Sequence, residues 1–248
     1  MVRGDHYVID GVDRPLPRVT SILKILDKPG LNFWKQKVLV ETALADPTLS
    51  VQEIIAATYK ERDEAGSKGL DVHKIIQALS KDEPVDEKAV SEIPQIQAYR
   101  KFQEAVPHRV LDSELVVYSE KLGYAGTLDA VIQTYSSAVA EGKEEMKRAL
   151  KAGYELVKEA GPFSLLRRYG KTWLLDFKTN NGIYPEHFLQ LSAYRYALQE
   201  MRLKMKIDGL AIVHLQKDGN FAFVEGKDCF DVFEAALRIY EWLNGKER

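Results

Sequence analysis

Three short stretches place chemically active side chains inside apolar patterns. In WLLDFKT, strand side chains alternate between two faces. Trp173, Leu175 and Phe177 share one face, and Leu174, Asp176 and Lys178 share the other. In GTLDAVIQTY, Asp129 interrupts a second apolar strand pattern, with Thr127 and Val131 on its face and Leu128, Ala130 and Ile132 opposite. In GLDVHKIIQAL, Val72, Ile75, Ile76 and Leu79 recur at helical spacing, and His73 sits at the margin of that stripe.

Singly, each has an ordinary explanation. Asp-x-Lys is a surface ion pair worth ~0 to 1 kcal/mol, His73 a satisfied helix-margin histidine, Asp129 a strand-end residue. Jointly they suit a divalent cation. An unpaired buried carboxylate costs several kcal/mol, and two on neighbouring strands can share one ion. Magnesium and manganese prefer oxygen ligands, and manganese also accepts imidazole. His73, Asp129, Asp176 and the backbone carbonyl of Phe177 form the candidate metal set, with Lys178 beside it as a catalytic ammonium. Glu114, at the start of SELVVY, reads as a solvent-facing strand residue and is kept as an accessory candidate. In EHFLQLSAYRYAL, Gln190 and Tyr194 share a helix face. An amide and a phenol there can donate to a phosphate or base edge, and the ring can stack on a base. Leu191, Tyr194 and Leu198 also make an ordinary core stripe.

The elements that position these groups follow from pattern and punctuation. A small hairpin turning at Asp10-Gly11 precedes a helix capped at Thr20 or Ser21. Helical patterns run from Leu31 to about Tyr59, broken at Asp46-Pro47. The His73 helix follows, then a helix near Ile96 to Val106. Two adjacent strands turn at Gly123, and a Lys/Glu/Ala-rich segment over about 137–160 reads as a helical insertion, with Met146, Leu150, Gly153 and Val157 along one side. After the Asp176 strand comes a helix with Pro185 at its first position. A hairpin about Lys217-Asp218-Gly219 follows, and then a closing helix carrying Phe230, Phe233, Leu237 and Tyr240. The expectation is one α/β domain over 1–248, with a mainly helical portion to about 65 and the core from 66 onward.

The 248 residues, 45% of them hydrophobic, allow a substantial core. With 35 basic and 37 acidic residues, the formal charge is -2 and no global basic field marks a polyanion partner. A local patch or bound cation must then serve, and Lys171, Arg167, Arg168 and Arg195 are the nearest cations in sequence. One cysteine, Cys229, excludes an internal disulfide, a four-cysteine zinc site and a cysteine-ligated iron-sulfur cluster. No apolar run of about 20 residues suggests a membrane span, and the start of the chain lacks the apolar core of a secretory signal. A soluble, cytoplasmic protein is expected.

The ordered set G-x-x-x-H in GLDVH, G-T-L-D, D-x-K in LLDFKT and Q-x-x-x-Y in QLSAY resembles the PD-(D/E)XK nuclease superfamily, in its RecB-like exonuclease branch. RPLPRVTSILKIL followed by LNFW looks like the start of its phage-type members. The resemblance covers roughly Gly66 to Ala197. It implies a restriction-endonuclease-like core and a magnesium- or manganese-dependent DNA nuclease, an exonuclease by preference, acting in repair, recombination or phage replication. His73, Asp129 and Asp176 would be metal ligands, Lys178 catalytic, and Gln190 and Tyr194 DNA-facing. Relatives place the two aspartates on consecutive, tightly connected strands, whereas here the 137–160 segment intervenes. Others carry an iron-sulfur cluster, which this chain is expected to lack. A catalytically silent DNA-binding or complex-building module is the alternative, as is a metal-dependent hydrolase of another phosphate ester.

Overall fold

The first two strands reverse at Gly4, whose φ of 58° favours glycine. The structure, a computed structural model, describes residues 2–26, 29–81, 83–201 and 205–245. Strands β1 (Val2–Arg3), β2 (His6–Tyr7) and β3 (Leu16–Pro17) form a small antiparallel sheet. The expected turn at Asp10-Gly11 lies in its second connection, where the Val12 N–H donates to the Ile9 carbonyl. Helix α1 (Val19–Ile22) is capped by Arg18 without a side-chain bond, not by Thr20 or Ser21. The Ser21 hydroxyl donates to Asp5 instead, at 2.9 Å.

Helix α2 (Pro29–Ala45) stops before Asp46-Pro47, as the sequence requires. Helix α3 (Val51–Ser80) restarts on a capping box, in which Ser50 accepts from the Glu53 N–H and the Glu53 carboxylate accepts from the Ser50 N–H. It continues unbroken for 30 residues, so the boundary expected near 65 falls inside one helix. Helices α4 (Glu87–Ser91) and α5 (Pro94–Ala105) follow.

Strands β4 (His108–Ser119) and β5 (Tyr124–Glu141) form the hairpin expected at Gly123, whose φ is 73°. The insertion expected to be helical over 137–160 is helical only in its middle, with strand on either side. β5 runs on to Glu141, only α6 (Gly142–Lys151) is helical, and β6 (Glu155–Ala160) pairs with β7 (Phe163–Lys178). Gly142 and Gly153, both at positive φ, bracket the helix. Outside them pairing with β7, at long range for β5 and across the two-residue turn Gly161-Pro162 for β6, overrides the helix preference of Lys, Glu and Ala. Helix α7 (Pro185–Met201), strands β8 (Gly209–Leu215) and β9 (Phe221–Gly226) and helix α8 (Phe230–Leu243) complete the chain in the expected order.

The main sheet is mixed, in the order β4-β5-β7-β8-β9, with β6 also on β7. Only β7 and β8 run parallel, joined through α7 as a parallel pair requires. On one face Leu174, Val131 and Ile212 pack with Leu191, Tyr194 and Leu198 of α7 and Phe233 and Leu237 of α8. On the other, Trp173, Leu175, Phe177 and Ile132 pack with Val72 and Ile76 of α3 and Tyr99 and Phe102 of α5. The architecture is α/β, with helices on both sides of a mixed sheet. Among the described residues, no helix is long and apolar enough to cross a membrane.

Candidate metal and catalytic site

Beyond Ala130↔Leu175 the β5–β7 ladder ends, and the two strands fork. Asp129 and Asp176 are the next residues on either side. The expected alternation of β5 also fails here: Leu128 packs with Val131 on the α7 face, whereas Ala130 and Ile132 face α3 and α5. Across the hairpin, the flanking pairs Ser113↔Ala130 and Leu115↔Leu128 leave Glu114 opposite Asp129. Glu114 has φ 49°, the one non-glycine residue at positive φ among those described. Such a conformation costs on the order of 1–3 kcal/mol and persists only where its surroundings impose it.

α3 delivers His73 to the same place. Its buried neighbours Val72 and Ile76 anchor the helix on the sheet, and His73 Nδ1 lies 3.6 Å from Asp129 Oδ1. One donor atom each from His73, Glu114 and Asp129 fall within 4.8 Å of one another. The other oxygen of Asp129 accepts from the Phe177 N–H at 2.6 Å, so that residue's amide, as well as its buried ring, belongs to the site.

The Asp176–Lys178 half faces α7, as alternation on β7 requires. Asp176 is 2% exposed, and its Oδ2 lies 2.6 Å from Lys178 Nζ in an ion pair that lacks hydrogen-bond geometry. Gln190 bridges the pair: its Oε1 accepts from Lys178 at 3.3 Å, and its amide nitrogen donates to Asp176 Oδ1 at 3.3 Å and to the Tyr194 hydroxyl at 2.9 Å. Tyr194 is buried in the core, 3% exposed. Its ring presents no face to a base, and its hydroxyl steadies Gln190.

The electrostatics are those of a crowded acidic site. Burial opposes the charge on His73, but the facing Asp129 carboxylate outweighs it and raises the imidazole above its ordinary range. Burial likewise works against Asp129, and His73, Lys178 and the Phe177 amide lower it. Burial, offset in part by Lys178 and reinforced by Asp129, pushes Asp176 up to about 6. Burial and then Asp129 raise Glu114. For Lys178, burial opposes the charge, and the two aspartates overcome it and hold the ammonium above its ordinary range. Two carboxylates directly opposite on paired strands destabilise each other unless a proton or cation lies between them.

Of the expected metal set, His73 and Asp129 meet with Glu114, while Asp176 stands across the fork, paired with Lys178. Glu114, expected to face solvent, is half-buried and stands opposite Asp129. Counting outward from the terminal pair Ser119↔Tyr124 of the Gly123 hairpin leads to Glu114 opposite Asp129, so the register carried that signal. The cations nearest in sequence are elsewhere: Arg195 pairs with Asp228 at 2.8 Å, Arg167 and Arg168 lie in the distal half of β7, and Lys171 lies midway along it over the Trp173 ring. No protein-family model and no curated protein matches this chain.

Proposed function

We propose that the protein is a divalent-cation-dependent deoxyribonuclease with a restriction-endonuclease-like core, acting by preference as an exonuclease. The observation that carries this reading is the convergence of His73, Glu114 and Asp129 at the mouth of a strand fork whose other arm bears Asp176-x-Lys178. The donor set of one imidazole and carboxylates suits manganese or magnesium. The buried Asp176 Oδ2 atom, ion-paired with Lys178 at 2.6 Å, is a further carboxylate oxygen at the fork. His73, Glu114 and Asp129 would hold the ion, with Asp176 supplying the carboxylate across the fork. A cation held there polarises a phosphoryl oxygen and lowers the pKa of a bound water.

The remaining work falls to the chain. Lys178 donates from Nζ to a non-bridging phosphate oxygen as charge builds there. Gln190, fixed by Tyr194, holds Lys178 at its reach and keeps Asp176 from rotating away. The Phe177 N–H fixes Asp129 so that its other oxygen faces His73.

The test is manganese- or magnesium-dependent release of nucleotides from end-labelled linear DNA, with closed circular DNA in parallel. Wild type should release nucleotides from the linear substrate. Glu114→Gln and Asp129→Asn should each lose activity and bind manganese at least about tenfold more weakly, as loss of a charged ligand implies. Absence of release over a range of ends and metals would remove the reading.

A further inference from the structure

The distal halves of β5 and β7, with β6 and α6, form an arm pointing away from the fork, and its two faces differ. α6 covers one face, where Met146 meets Ser164 and where Ala140 and Leu166 are buried. The other face is open, with Val139 67% and Phe163 47% exposed. Pairing puts Tyr135 opposite Tyr169 and Ser137 opposite Arg167 on that open face. There the side chains form a ladder. The Arg167 guanidinium lies 4.3 Å from the Tyr135 ring centre, and the Tyr135 and Tyr169 rings meet edge to face at 6.1 Å. Arg109 from β4 lies 3.9 Å over Tyr169. Arg109 is held further by Gln133, whose Oε1 accepts from its Nε and Nη2. Lys158 of β6, opposite Leu165, adds a cation to this face, and Glu155, opposite Arg167, and Glu141, opposite Phe163, are acids on it.

Of the eight Lys and Arg and five Glu over residues 133–172, Lys143, Lys147, Arg148 and Lys151 lie on α6 and Arg168 on the covered face, and Arg167 and Lys158 join Arg109 on the open face. Guanidiniums stacked on rings lose little further freedom on binding, and their in-plane N–H groups suit phosphate oxygens. We infer that the open face of the arm is a DNA-backbone contact surface, in which Arg109 and Arg167, pre-positioned on Tyr169 and Tyr135, grip phosphates remote from the fork. The choice of DNA as occupant rests on the nuclease reading. Tyr169 lies seven residues along β7 from Asp176, roughly 20 Å at strand rise. The grip therefore acts on duplex about six base pairs from the fork, at about 3.4 Å per pair.

The experiment is fluorescence anisotropy of a labelled duplex of about 30 base pairs, titrated in chelator at several salt concentrations. Arg109 is exposed, so Arg109→Glu leaves the fold intact, and Arg109→Lys controls for charge. Wild type should bind, and Arg109→Glu should bind at least about tenfold more weakly, with the slope of log K against log salt reduced by about 1. Arg109→Lys, which keeps the charge without the planar stacked fork, should fall between wild type and Arg109→Glu, and adding Arg167→Ala to Arg109→Glu should weaken binding further. Unchanged affinity and slope in the variants, or no duplex binding by wild type at low salt, would overturn the inference. So would sedimentation showing a wild-type dimer that Arg109→Glu dissolves without altering DNA affinity. Because binding is read without metal, nucleotide release by wild type alongside any of these results would leave the nuclease reading standing and remove the arm alone.

Discussion

At the scale of residues, two charges on β7 decide most of what the site can do. Lys178 is held by Asp176 and Gln190 and contributes no ligand to the metal trio. Lys178→Met should therefore lower nuclease turnover by about 10²–10³-fold, the usual loss for one donor to a developing charge, while manganese affinity by calorimetry stays within about threefold of wild type. Equal loss of both would make the lysine a structural prop. Asp176 gives a pH signature. Its folded carboxyl keeps its proton to about 6, against an ordinary value of 3.8, so between these the folded state binds more protons than the unfolded. Stability must then fall as pH rises through that window, by on the order of 3 kcal/mol. The Asp129 contribution acts at lower pH, being lost as pH falls through its lowered folded value. The His73 contribution acts at higher pH, being lost as pH rises beyond 6.5 through its raised folded value. Urea unfolding in chelator should show wild type losing stability relative to Asp176→Asn between about pH 4 and 6. Parallel profiles would mean that the carboxyl is not perturbed.

At the scale of elements, precision depends on how closely α7 sits on β5. Gly126 lies under the Tyr194 ring, and a Cβ there would overlap it. Gly126→Ala must therefore push α7 outward, carrying Gln190 off Asp176 and Lys178. The expected cost is about 1–3 kcal/mol, with a fall in kcat larger than any change in manganese affinity, because His73, Glu114 and Asp129 belong to other elements. Wild-type kcat in this variant would show that Gln190 does not position Lys178. The same elements show what the sequence could convey. Period-two alternation was sufficient for Trp173 to Lys178, since β8 pairs with β7 throughout that stretch, past the end of the β5 ladder at Leu175, and its side chains keep strict faces. It failed at Leu128 to Ala130, where the β7 ladder ends and Glu114 adopts a left-handed backbone that no residue type announces. The helical reading failed at 155–160, where the two-residue turn Gly161-Pro162 folds the chain back and pairing with β7, not the propensity of Lys, Glu and Ala, makes β6 a strand. His73 was legible from its helix margin, and Glu114 only from hairpin register.

At the scale of the whole molecule, the site joins α3, the β4–β5 hairpin and β7, which lie far apart in the chain. A single ion bound there would tie the strands to α3, whose Val72 and Ile76 meet the sheet through packing. Anything that binds the folded state alone stabilises it by mass action, by about 2.7 kcal/mol at a hundredfold excess over Kd. For a chain of this size that is a rise in Tm of about 5–10 °C. Scanning calorimetry should show this rise on adding manganese to wild-type protein. It should persist in Arg109→Glu, whose substitution lies on the arm, and shrink in His73→Ala and Glu114→Ala. An Asp129→Ala, Asp176→Ala double variant should show none. In chelator that double variant should also be no less stable near neutral pH than either single variant, because it removes the two carboxylates that burden each other. Lys178 then keeps the weaker attraction of Glu186 alone among these acids and must shed its charge or reach solvent, and at 18% side-chain exposure it has a route outward. A manganese-induced rise of equal size in wild type and the double variant would place the ion elsewhere on the protein and leave the fork without a metal.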